Sequence, residues 1–79
     1  MDPNQTLNEL LLALGDRDWD RTDELQQALV DWIEKGGFPP LTLGPRELGR
    51  QWHKSLARFV CRAAAFRVMA AKIRRSLDQ

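Results

Sequence analysis

The chain is predicted to be all-α: a three-helix bundle in which a short N-terminal helical hairpin packs on one long C-terminal helix. Three observations predict it. From Trp52 onward, apolar residues fall at Trp52, Leu56, Phe59, Ala63, Phe66, Ala70, Ile73 and Leu77, in alternating steps of four and three. That is a heptad row carried for more than three heptads, and at about 100° per residue it occupies one narrow arc of a helix. Upstream, two shorter stretches with the same kind of spacing are each bracketed by helix start and stop residues. Between them and the long row stands Pro39-Pro40, which cannot lie inside a helix.

Asp2-Pro3-Asn4-Gln5 opens the first helix, expected over about 3–14. Asp2 can cap free amides, Pro3 suits the first helical position, and Gln5 stands where a capping box needs it. Leu7, Leu10, Leu11 and Leu14 give it an apolar stripe, and Gly15 is placed to end it in the left-handed conformation. So short a helix does not stand alone in water and needs a neighbour.

That neighbour is expected over about 18–35, after the polar link Asp16-Arg17-Asp18. Asp18 or Asp20 caps it, and Asp20, Asp23 and Glu24 put negative charge at the favoured end of its macrodipole. Trp19, Leu25, Ala28, Leu29, Trp32 and Ile33 form its buried face. Gly36-Gly37 stops it, with Lys35 suitably cationic in the last turn. The short link makes the two helices an antiparallel hairpin.

Phe38-Pro39-Pro40-Leu41-Thr42-Leu43-Gly44 reads as a packed crossover whose apolar residues cover the end of the bundle. Pro45, Glu47 and a Leu43–Leu48 staple then start the third helix, expected over about 45–77 and roughly 50 Å long. The heptad row, Phe59 and Phe66 above all, is expected to form core. Ala57, Cys61, Ala64, Val68 and Ala71 make a second apolar face on the opposite side. The second helix has only about half the length of the third, so the hairpin is expected to leave part of the long helix uncovered.

Composition sets the class. With 79 residues, 43% hydrophobic and 29% charged, the chain is one globular domain, 1–79, rather than a disordered segment. A single cysteine excludes an internal disulfide framework and fits a reducing compartment. No basic segment followed by an apolar run opens the chain, and Arg62 and Arg67 interrupt the apolar stretches well short of a membrane span. The expectation is a soluble, cytoplasmic protein.

Chemistry is sparse. His53 and Cys61 are the candidates for nucleophilic or metal chemistry, and on one helix they stand about 12 Å apart along the axis, too far for a dyad. His53 reads as a residue at the core boundary and Cys61 as a small buried apolar one. Carboxylates and one histidine scattered over separate helices make no metal pattern, and there is no Gly-rich phosphate loop. No catalytic residue, metal or cofactor is assigned, and an enzyme is not expected.

What remains are surfaces. Residues 1–44 carry nine acids against three bases, −6, and residues 45–79 carry nine bases against two acids, +7. The acidic hairpin is expected to fold onto the basic helix with the two fields offsetting each other. The favoured reading is a helical protein–protein interaction or assembly module that self-associates through the long third helix. Its partner is a second copy in a homodimer, or another helical protein, meeting Ala57, Cys61, Ala64 and Val68, or the overhang at Phe66, Ile73 and Leu77. The alternative is non-specific nucleic-acid binding through Arg46, Arg50, Lys54 and Arg58, which recur every four residues, and through Lys72, Arg74 and Arg75. Two apolar faces argue against a helix lying on a membrane.

Overall fold

The computed structural model describes residues 1–77. Helix α1 spans Pro3–Gly15, α2 Trp19–Glu34 and α3 Arg50–Leu77, with one 3₁₀ turn at Arg46–Leu48 and no strand among the described residues. The expected class and helix order hold.

Both hairpin ends are closed as local chemistry dictates, with two departures. The Asp2 carboxylate accepts from the amides of Asn4 and Gln5 at 3.0 and 3.3 Å, but no capping box forms. The Gln5 amide donates instead to Glu9, one turn along, where a charged acceptor is on the same face. Nor does Gly15 take the left-handed conformation. It remains helical, and the positive φ of 59° falls on Arg17, with Arg17 and Asp18 amides donating back to Leu14 and Ala13. At the end of α2 the same closure is built with glycine: Gly36 has φ 88°, and Gly36 and Gly37 donate to Ile33 and Trp32.

The core is one cluster: Leu7, Leu10 and Ala13 from α1, Leu25, Leu29 and Ile33 from α2, and Ala57, Cys61 and Ala64 from α3. α2 packs along both other helices. The hairpin thus supplies the bulk and α3 supplies the small residues that receive it. This reverses the sequence expectation that the large heptad row would be the core. Large residues of the row against Leu10, Leu29 and Ile33 would overfill the interior, whereas alanines and a cysteine accept those knobs.

The crossover is pinned rather than draped. The indole of Trp32 donates to the Phe38 carbonyl at 2.8 Å and that of Trp52 to the Leu43 carbonyl at 2.8 Å. The Asn4 side chain accepts from the Leu41 amide at 2.7 Å, and Arg50 donates to the Gly36 carbonyl at 2.9 Å while lying over the Phe38 ring. A Cβ at Gly37 would stand 2.4 Å from the Trp32 ring, so that indole needs glycine beneath it. His53, expected at the core boundary, is buried and holds the centre. Its Nδ1 accepts from the Thr42 amide at 3.0 Å and its Nε2 faces the Pro45 carbonyl at 3.0 Å, an arrangement that selects the Nε2–H tautomer. Only Pro40 of the crossover is buried; Phe38, Leu41 and Leu43 are exposed rather than covering the bundle end.

The long helix starts later than the sequence suggests. Pro45 precedes the 3₁₀ turn, Gly49 at φ 96° breaks it, and α3 begins at Arg50.

Candidate functional site

With the small face of α3 turned inward, its heptad row faces out. Phe59 is 68% exposed, Phe66 70%, Ile73 55% and Leu77 80%, and Met69 beside them is exposed as well. The expectation that Phe59 and Phe66 are core is overturned. The expected interface splits in the same way. Ala57, Cys61, Ala64 and Val68 are closed against the hairpin and accessible to no partner, while Phe66, Ile73 and Leu77 are open.

Two depressions flank the row, one against α1 and the crossover and one against the start of α2. Toward the start of α3 is an apolar groove of about 530 Å³, lined by Leu7, Leu11, Leu41, Leu43, Leu56 and Phe59. Toward its end is a cleft of about 480 Å³ with Arg17, Trp19, Arg67, Arg74 and Arg75 around a floor of Ala70 and Ala71. Leu56 and Phe59 of the row line the groove and Ala70 lines the cleft, so both depressions open onto one track along the row. From Leu56 to Arg74 it extends about 27 Å along the helix.

The cations of α3 divide by what they touch. Arg50 is held by the Gly36 carbonyl and the Phe38 ring, Arg58 pairs with Glu34 at 3.1 Å, and Lys72 pairs with Asp23 at 3.8 Å. Hydrogen bonds from Gln26 and Gln27, with Lys72 adding to them, hold the Asp23 carboxyl below its ordinary range. Those pairs tie the acidic hairpin to basic α3. Arg46 is exposed beside the crossover and Lys54 is half-buried. Of the expected basic contacts, Arg74 and Arg75 line the cleft, joined by Arg67, whose guanidinium lies 5.9 Å from the Trp19 ring, and by Arg17. Among the described residues Arg17, Arg62, Arg67, Arg74 and Arg75 form no ion pair. Arg67 and Arg74, seven apart on one edge of the row, were findable from spacing alone. Arg17 was not, because only the turn after α1 brings it there.

Neither chemistry-bearing side chain is poised to react. Both ring nitrogens of His53 are engaged by the crossover. Burial pushes the Cys61 thiol from 9.0 up to about 11. Its contribution to stability is therefore complete below pH 9, where the thiol is protonated folded or unfolded, and is lost as pH rises through about 11. The urea midpoint is expected to fall between those pH values, and a Cys61→Ala variant to lose that slope. A thiol reagent at neutral pH should label Cys61 only as fast as the chain opens. Among the described residues no group of His, Cys, Asp or Glu could hold a metal ion, and no helix is long and apolar enough to cross a membrane.

No family model, curated protein or solved structure matches the chain.

Proposed function

We propose that this chain is a helical protein–protein interaction or assembly module that works by covering the outer face of α3 with a helix from another molecule. One observation carries the reading: a heptad row with two phenylalanines, an isoleucine and a leucine stands more than half exposed along a helix whose other side is already buried. Exposed apolar patches of this kind mark interaction sites, and a 3,4-spaced row is the pattern that receives another helix. Self-association and docking of a different chain both use this row. Non-specific nucleic-acid binding is less well supported, because Arg50, Arg58 and Lys72 are held by the fold and apolar side chains would remain wet beside a phosphate backbone.

The test separates a docking surface from a structural one. Phe59→Gln with Phe66→Gln is expected to change unfolding free energy by less than ~1 kcal/mol, since both rings are already exposed in the single chain. The same double variant is expected to bind less of a fluorescent hydrophobic dye. A loss of about 3 kcal/mol or more would mean that the row is core under working conditions, and would overturn the reading.

A further inference from the structure

We infer that the occupant of the α3 track is an acidic amphipathic helix of a different protein, and not a second copy of this chain. The inference rests on the reading of α3 as a docking surface and adds the chemistry of what docks. The row demands apolar side chains at helical spacing, and its borders demand negative charge. On a helical projection Arg62 lies along one edge of the row and Arg67 and Arg74 along the other. Arg17 and Arg75 add to the second edge through the cleft that shares Ala70 with the row. α3 itself holds eight Lys and Arg residues and no Asp or Glu.

A second copy packed α3 on α3 and a nucleic-acid strand each satisfy one demand and violate the other. Two α3 helices packed row to row would cover Phe59, Phe66 and Ile73, but would set Arg62, Arg67 and Arg74 against their own copies with no acid on either helix to separate them. Like charges facing across an interface are strongly disfavoured. A nucleic-acid strand would meet the arginines and leave the phenylalanines in water. A helix with apolar residues at i, i+3, i+4 and i+7 and carboxylates on both borders meets both demands at once.

The two flanking depressions give the partner a polarity. The apolar groove lies beside Leu56 and Phe59 and the arginine cleft beside Ala70 and Arg74, so the docked segment is apolar toward one end and acid-rich toward the other. Roughly 18 residues of helix match the 27 Å of track. Arg17 is consistent with this. It occupies the left-handed position that glycine fills at the end of α2, and there its side chain reaches the cleft.

The experiment uses the full chain and two synthetic 18-residue helical peptides, identical in their leucines and bearing Glu or Lys at the border positions. Fluorescence anisotropy at ~0.1 M salt is expected to give at least tenfold tighter binding for the Glu peptide. Phe66→Gln should weaken that binding about tenfold or more, and the triple reversal Arg62→Glu, Arg67→Glu, Arg74→Glu should transfer the preference to the Lys peptide. These residues are exposed, and circular dichroism checks that each variant keeps its helix content. Three results overturn the inference. One is equal binding of the two peptides, or none of either. Another is a wild-type homodimer in light scattering that Ile73→Glu dissolves, which would leave the docking-surface reading standing with a second copy as occupant. The third is a single-stranded oligonucleotide that binds more tightly than the Glu peptide and is indifferent to Phe66→Gln.

Discussion

Ala64→Glu is expected to unfold the chain at neutral pH. Ala64 has no exposed surface, and it stands on α3 in the same cluster as Leu10, Leu29 and Ile33. A methyl group fills this site, so a longer side chain overpacks the interior against the hairpin. A carboxylate placed there loses its water with no cation arranged to receive it, a penalty of several kcal/mol. A domain of this length has a total stability of roughly 4–12 kcal/mol, scaled from the usual value per residue. Loss of the cooperative urea transition, with residual helix by circular dichroism, is the expected outcome. Ala65→Glu, one residue on and partly open to solvent, serves as the control. A cooperative Ala64→Glu transition within ~1 kcal/mol of wild type would mean that α3 is rotated from the orientation described.

His53→Ala is expected to cost about 2–4 kcal/mol, through the cavity it leaves and the partners it strands. The Thr42 amide loses its acceptor at 3.0 Å, the Thr42 hydroxyl its partner at 2.9 Å, and the Pro45 carbonyl its donor at 3.0 Å. The loss should be local before it is global. With the imidazole gone, the crossover keeps its two indole bonds and the Asn4 contact but no longer has its centre, and proteolytic cleavage between residues 36 and 49 should accelerate more than unfolding does. Leu41 and Leu43 line the apolar groove, so binding of a helix at that end should weaken as well. Unchanged stability and unchanged cleavage would show that the ring is a passenger.

Much of this molecule was legible in its residues. Asp2, Pro3 and Asp18 start helices, Gly36 and Gly37 stop one, and paired prolines forbid another, because each acts through backbone conformation and hydrogen bonds within a few positions of itself. The two apolar faces of α3 were legible too, since they need only a helical repeat. The positive φ at Arg17 was not, because a glycine two residues earlier offered the cheaper place for it and the closing bonds to Ala13 and Leu14 decided otherwise. His53 gave no sign of its role, as its partners Thr42 and Pro45 lie on the crossover and meet it only once the chain has turned back.

The sequence by itself determined three helices, their order, the extended link and the segregation of charge between hairpin and long helix. The tertiary structure alone decided which face of α3 is inside. Periodicity finds a stripe and size suggests that the stripe with Phe59 and Phe66 is the core, but an interior is filled by complementary volume rather than by the largest residues available. Leu10, Leu29 and Ile33 already occupy that volume, so Ala57, Cys61 and Ala64 turn inward and the phenylalanines turn out. That one rotation makes the strongest pattern in the chain a surface instead of a core.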